Sequence, residues 1–158
     1  MAISNLDILL VEDNLHDVRF ISEALKEMNI KLNMQHLTDG VEAINFLKGR
    51  DKYSDRNIED RPKLIMTDLR MPRMDGCELL KLLKSEENTK DIPVVVMTTS
   101  TLENDIVKCY ESGANSYLIK PIDFDSFTGK IKMIFDYWFK TNTTKDLNNK
   151  STLYYQFT

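Results

Sequence analysis

Five residues able to do chemistry together stand at or beside the ends of short apolar runs. Glu12 and Asp13 follow "LDILLV", Asp68 follows "KLIMT", Thr98 lies near the end of "IPVVVMTT", and Lys120 follows "SYLI". A carboxylate at the end of a buried strand is costly to desolvate unless something offsets its charge. A helix cap or a surface turn would account for any one of them, since Asp is common in both. Such ordinary uses do not account for all five at equivalent ends.

Three carboxylates brought within a few ångströms repel one another, and their pKa values rise unless a cation is present. Mg²⁺ is the economical cation, because it takes oxygen ligands from one or two carboxylates, waters and phosphate oxygens. The expected ligands are Glu12, Asp13, Asp68 and the backbone carbonyl of Arg70. Lys120 adds a positive charge suited to an incoming phosphoryl group, and the Thr98 hydroxyl can donate a hydrogen bond to it. A carboxylate held beside a metal and a lysine can attack phosphorus, and Asp68 is the candidate nucleophile that would become an aspartyl-phosphate.

The elements that must position these groups follow from hydropathy. The runs at 6–13, 63–68, 92–99 and 116–121 are continuously apolar, which suits strands covered on both faces, whereas "KLNMQHL" at 31–37 alternates more and fits an edge strand. Helical spacing separates them: Val18, Ile21, Leu25 and Met28; Val41, Ile44 and Leu47; Leu79, Leu80 and Leu83; and Leu102, Ile106 and Tyr110 before Gly113. Five βα units in order predict a flavodoxin-like, doubly wound (βα)5 α/β sandwich. Its parallel sheet has the order 2-1-3-4-5, and its ligands sit beyond the carboxyl ends of the strands.

Two other uses of such a crevice fit less well. FMN would need a Gly-, Ser- or Thr-rich turn to receive its phosphate, but the first loop is the acidic "VEDNLHD". A dinucleotide would need a G-x-G-x-x-G turn after the first strand, and none is present.

The 158 residues match one domain, with 42% apolar residues, 29% charged residues and a net charge of −4. That balance disfavours nucleic-acid binding, and no apolar run is long enough to span a bilayer, so a cytoplasmic location is expected. Cys77 and Cys109 fall in amphipathic helical stretches and read as buried thiols rather than a disulfide framework. The polar segment Gly49 to Pro62 reads as a long solvated connection. The Asn- and Thr-rich end, 141–158, reads as a mobile tail after a domain at 1–140.

With "LLVEDN", "MTDLRMPRMDG", "IPVVVMTTS" and "GANSYLIKPI" in this order and spacing, residues 5–140 resemble the receiver domain of two-component response regulators. The resemblance implies that Asp68 accepts a phosphoryl group, that Glu12 and Asp13 help bind Mg²⁺, and that Lys120 contacts the phosphoryl group. It also implies that Thr98 and Tyr117 form a switch pair and that Lys120–Pro121 is a cis peptide. The donor would be a sensor histidine kinase or a phosphotransfer protein. "TTSTLENDI", "LIKPIDFDSF" and "FDYWF" further resemble single-domain regulators paired with cyanobacterial-type phytochrome kinases. Such a chain signals through protein contacts and is not an enzyme in the metabolic sense.

Two alternatives stay beside this one: a structural interaction module that keeps the pocket but is never phosphorylated, and a Mg²⁺-dependent phosphatase with an aspartyl-phosphate intermediate. The phosphatase would need a second acid two residues after the nucleophile, where Arg70 stands. Arg70 and Ser100, two residues beyond Asp68 and Thr98, leave the acyl-phosphate lifetime open, since the guanidinium could pair with the phosphoryl group or fold into solvent. Phe124, Phe127, Ile131, Ile134, Phe135 and Trp138, with Phe139 beside them, form a broad apolar stripe on the last helix. Such a stripe covers a sheet face, and its aromatic excess predicts a homodimer through the fifth helix.

Overall fold

A computed structural model describes residues 6–143 of the chain. Five parallel strands, β1 (Ile8–Val11), β2 (Met34–Leu37), β3 (Leu64–Thr67), β4 (Val94–Thr98) and β5 (Ser116–Ile119), form one sheet in the order β2-β1-β3-β4-β5. Five helices alternate with them: α1 (Leu15–Glu27), α2 (Gly40–Lys48), α3 (Gly76–Ser85), α4 (Glu103–Glu111) and α5 (Phe124–Phe135). The flavodoxin-like order expected from the alternating pattern is therefore present. The segment assigned to a tail lies outside the described residues from 144 onward.

Strand alternation explains why β1, β3 and β4 read as unbroken apolar runs. Leu9, Val11, Ile65, Val94 and Val96 pack with Phe46, Leu79, Leu80 and Leu83 of α2 and α3. Their neighbours Ile8, Leu10, Leu64, Met66, Val95 and Met97 point the other way, onto Ile21, Ala24 and Leu25 of α1 and Phe127, Ile131 and Ile134 of α5. Successive side chains leave opposite faces of a strand, so a strand between two helical layers must be apolar at every position. β5 departs from its expected burial: as an edge strand it is only half-buried, and Ile119 is exposed.

Local sequence sets the helix starts. Asn14, Asp39, Asp75 and Asp123 cap α1, α2, α3 and α5, their side chains accepting from backbone N–H groups of the first turn. Asn14, rather than Asp13, caps α1, which leaves the Asp13 carboxylate outside the cap.

The polar connection after α2 is largely exposed, as expected, but two of its side chains pack inward, and the end of the last helix departs from its expected course. The polar connection from Gly49 packs against α2: Tyr53 meets the Phe46 ring edge-to-face at 5.2 Å, and the Arg56 guanidinium lies 4.0 Å from the centre of that ring. An arginine and a tyrosine carry flat apolar surfaces along with their polar ends, so a polar sequence can still cover a core. The last helix ends at Phe135 and continues as a π-helical turn, Asp136–Thr141, whose Phe139 stacks on Phe135 and is buried.

Candidate functional site

Strand register brings the expected groups to one edge. Val11 is aligned with Thr67 across β1 and β3, and Thr98 with Ile119 across β4 and β5, so Glu12, Asp68 and Lys120 all emerge where their strands stop. The Lys120 N–H donates to the Thr98 carbonyl at 2.7 Å, the last rung of that pair of strands. Asp68 N–H likewise donates to the Val11 carbonyl at 3.0 Å. Backbone pairing alone thus fixes the bases of these side chains.

The loop after β3 is closed at its base by Gly76 and tied to α2 by Arg73. Gly76 N–H donates to Leu69 O at 2.8 Å, drawing the start of α3 back against the end of β3. Arg73 adopts a left-handed φ of 65° and pairs in bidentate fashion with the buried Asp39 at the start of α2. The carboxylate of Asp68 accepts from the Leu69 N–H at 2.6 Å through Oδ1, which leaves Oδ2 turned toward the lysine.

One carboxylate oxygen each of Glu12, Asp13 and Asp68 lie within 4.8 Å of one another. That spacing and an all-oxygen donor set suit Mg²⁺, whose ligands crowd about a small ion at roughly 2.1 Å. Glu12 is buried, accepts from Asn14 N–H at 3.0 Å through Oε1, and accepts from Lys120 at 2.7 Å through Oε2. Its backbone oxygen is 2.7 Å from Nε2 of His36 on β2. Burial, and after it the nearby charge of Asp68, pushes the Glu12 carboxyl up to about 8.

Lys120 is buried among three carboxylates. Its Nζ donates to Glu12 Oε2 and Asp17 Oδ2 at 2.7 Å each, and to Asp68 Oδ2 at 3.2 Å. Burial alone would lower its pKa; the hydrogen bonds to Asp17 and Glu12 outweigh that and hold it above its usual value. The lysine is therefore charged and already beside the candidate nucleophile.

Asp17 was not among the residues expected in the pocket. The signal was present in "VEDNLHD": an acid at the third position of a helix that starts directly after the acidic pair comes back over the strand end.

Thr98 is buried, and its Oγ1 accepts from Ser100 N–H at 3.3 Å. Tyr117 is half-buried on β5, and its hydroxyl donates to the Ser100 carbonyl at 2.9 Å. Arg70, about two-thirds exposed, makes an ion pair at the mouth of the pocket. Its Nη2 donates to Asp105 Oδ2 in the first turn of α4 at 2.7 Å, and Ser100 Oγ donates to the same oxygen at 2.5 Å. The Ser100 hydroxyl first, then the Arg70 guanidinium, hold Asp105 below the usual carboxylate range.

The expected cis Lys120–Pro121 bond is corrected: no cis peptide occurs among the described residues, and this bond is trans. The two isomers of an X–Pro bond differ by only about 0.5–1 kcal/mol, so the sequence does not decide between them.

Comparison with known proteins gives a consistent result. The family model for the response regulator receiver domain matches residues 8–132. Response regulator Rcp1 of Synechocystis sp. is 38% identical over 136 residues, covering 86% of this chain and 90% of Rcp1. The Mn(2+)-bound crystal structure of Rcp1 is similar at a TM-score of 0.80, with 37% identity over 89% of this chain and 99% of that one. The crystal structure of the phosphorylated cyanobacterial phytochrome response regulator RcpA is similar at a TM-score of 0.82, with 36% identity over 90% of this chain and 99% of that one. The probable methanogenesis regulatory protein FilR2 of Methanothrix harundinacea is 36% identical over 135 residues, 85% of this chain and 84% of FilR2.

Proposed function

Because this chain belongs to the response regulator receiver domain family and is a receiver of two-component signalling, we propose that Asp68 is its phosphoacceptor. The donor is a phosphohistidine on a sensor histidine kinase or phosphotransfer protein. An Asp68 oxygen attacks phosphorus, the bond from phosphorus to the imidazole nitrogen breaks with its electron pair staying on that nitrogen, and the phosphohistidine, protonated on its other ring nitrogen, leaves as the neutral imidazole. Lys120, which already touches Asp68, moves its charge onto the phosphoryl oxygens, and the Thr98 hydroxyl donates to one of them. Glu12, Asp13, Asp68 and the Arg70 carbonyl would hold Mg²⁺. The ion, when bound, offsets negative charge on the transferring group.

The observation that carries this reading is the convergence of the Glu12, Asp13 and Asp68 oxygens within 4.8 Å, with the Lys120 ammonium 3.2 Å from Asp68. The Mn(2+)-bound Rcp1 and phosphorylated RcpA structures support both parts. Thr98 and Tyr117 act as the switch pair: when the Thr98 hydroxyl turns to the phosphoryl group, Tyr117 turns inward and the face formed by α4, β5 and α5 changes.

The receiver occupies residues 1–140, acts as a cytoplasmic regulator, and works through proteins rather than nucleic acid. Its phosphoryl chemistry is limited to self-modification from a kinase or a small donor and slow self-hydrolysis. No described helix is long and apolar enough to cross a membrane. A phytochrome-like kinase is the favoured donor, given the resemblance to RcpA and Rcp1. The exposed Leu15 and Ile122, on the segments following β1 and β5, offer apolar contacts beside the pocket.

A homodimer through α5 has narrower support, because the domain itself buries Phe127, Ile131, Ile134 and Phe139. Met133 and Tyr137 are the exposed apolar residues of this helix and the turn after it. Light scattering at high concentration would show twice the monomer mass if they associate, and the monomer mass throughout if they do not.

Intact-protein mass spectrometry after incubation with Mg²⁺ and acetyl phosphate tests the central reading. One phosphate adduct is expected, absent from Asp68→Asn and decaying on standing. A native chain that stays unmodified while binding Mg²⁺ would favour an unphosphorylated interaction module.

A further inference from the structure

Ser100 sits at the centre of a hydrogen-bond network that joins the mouth of the pocket to the start of α4. Its N–H donates to Thr98 Oγ1 at 3.3 Å, and its carbonyl accepts from the Tyr117 hydroxyl at 2.9 Å. Its hydroxyl donates to Asp105 Oδ2 at 2.5 Å and accepts from Leu102 N–H at 3.3 Å. The same Asp105 oxygen accepts from Arg70 Nη2 at 2.7 Å. α4 starts at Glu103, and its N-cap, Leu102, has no side chain able to cap it. Asp105 and Ser100 therefore stand where a helix start lacks its usual side-chain acceptor.

We propose that the Arg70–Asp105 ion pair is a latch that withholds the guanidinium from the phosphoryl group, and that phosphorylation transfers Arg70 from Asp105 to the phosphoryl oxygens, leaving Asp105 bonded to Ser100 without its cation. The inference rests on the phosphoacceptor reading of Asp68 and deepens it.

Three observations fit this role. Arg70 lies two residues from Asp68, close enough in the chain to serve either anion, and about two-thirds of its side chain is exposed, so the pair opens at little cost. A phosphoryl group carries more negative charge than a single carboxylate and can take the guanidinium through two parallel hydrogen bonds. Asp105, unlike Arg70, is anchored: it keeps its bond to Ser100 when the arginine leaves, so the released negative charge stays at the first turn of α4.

Ser100 ties this charge exchange to both members of the switch pair. When the Thr98 hydroxyl turns toward the phosphoryl group, Ser100 N–H loses its acceptor, and when Arg70 leaves, the Ser100–Asp105 bond loses its charged neighbour. Both changes loosen the carbonyl that holds the Tyr117 hydroxyl. Asp105 is thus a positioning residue, acting on the site through Arg70.

A double-mutant cycle read on the decay of the phosphate adduct tests the latch. Native protein, Asp105→Asn, Arg70→Ala and the double variant are phosphorylated with acetyl phosphate and Mg²⁺, and adduct loss is followed by intact mass. The affinity for beryllofluoride, a non-covalent phosphoryl mimic, is measured on the same four proteins. Asn keeps the hydrogen bond from Ser100 and removes the charge. Asp105→Asn is expected to lengthen the adduct lifetime and tighten beryllofluoride binding by roughly two- to fivefold, the scale of a part-exposed ion pair. In the Arg70→Ala background the same substitution should change neither.

An equal effect of Asp105→Asn in both backgrounds would make Asp105 merely a support for α4 and overturn the latch. No effect in either would overturn it as well. Failure of the native chain to take phosphate on Asp68 at all is a separate result, which removes the phosphoacceptor reading and the latch with it.

Discussion

A β-carbon placed on Gly76 would stand 2.4 Å from the carbonyl oxygen of Asp68. The start of α3 and the end of β3 thus approach more closely than any side chain permits, and the candidate phosphoacceptor is one of the two partners. Gly76→Ala must move backbone at Asp68, which no flexible side chain can absorb. A loss of about 1–3 kcal/mol in stability is expected, together with slower adduct formation from acetyl phosphate. Gly129→Ala is the matched control, because nothing lies within 4 Å of its β-carbon position. That change should add roughly 0.5–1 kcal/mol through helix propensity. Urea denaturation of both variants measures the contrast, and similar losses in the two would remove the close-approach argument.

The clustered carboxylates make stability depend on a divalent cation. A ligand that binds only the folded state at ten times its Kd adds about 1.4 kcal/mol, or roughly 3–6 °C in Tm for a domain of this size. Mg²⁺ should raise the melting temperature of the native chain, EDTA should reverse the gain, and Asp13→Asn should largely abolish it. Equal gains in the native and Asp13→Asn proteins would place the binding elsewhere.

Glu42 ties the segment after α2 to that helix. It pairs with Lys52 and accepts from the Tyr53 hydroxyl at 2.9 Å, and these two partners lower its carboxyl to about 2. The folded state therefore binds this proton more weakly than the unfolded chain does. Its contribution is complete at neutral pH and is lost as pH falls from the ordinary glutamate range toward about 2. The native chain should exceed Glu42→Gln in stability by up to about 1 kcal/mol at pH 7, with the difference shrinking by pH 3. Paired thermal melts at the two pH values check this, and a difference independent of pH would contradict it.

Cys77 on α3 and Cys109 on α4 are buried free thiols with their sulfurs 3.2 Å apart. Burial, and after it the hydrogen bond with Cys77, pushes the Cys109 thiol up to about 12. Reaction requires both exposure and the thiolate, so the folded protein offers a disulfide-exchange reagent little to attack. At pH 8 the native chain should react at least roughly a hundredfold more slowly than the guanidinium-unfolded chain, which yields two thiols. Rapid labelling of both in the native state would mean that α3 and α4 separate easily.

Much of the sheet was legible because a parallel strand between two helical layers has no polar position. The runs around Leu9, Ile65 and Val95 could be recognised without any knowledge of their neighbours. Asp68, Thr98 and Lys120 could be named for the same reason, as the polar groups at which those runs end. The helix stripe from Phe127 to Ile134 was equally plain, whereas the burial of Phe139 was not, because it depends on a π-helical turn that folds this ring back onto Phe135.

What the sequence by itself determined was the alternation of strands and helices and, Asp17 apart, the set of groups delivered to one edge, since each depends on spacing within a single element. What only the tertiary structure decided was which of those groups pair. Lys120 takes Asp17 as well as Glu12 and Asp68, Arg70 takes Asp105, Arg73 takes Asp39, and Arg56 lies on Phe46. The Lys120–Pro121 bond is trans. Charged side chains are long and their candidate partners many, so the choice among them is set by the distances that packing leaves between elements far apart in the chain.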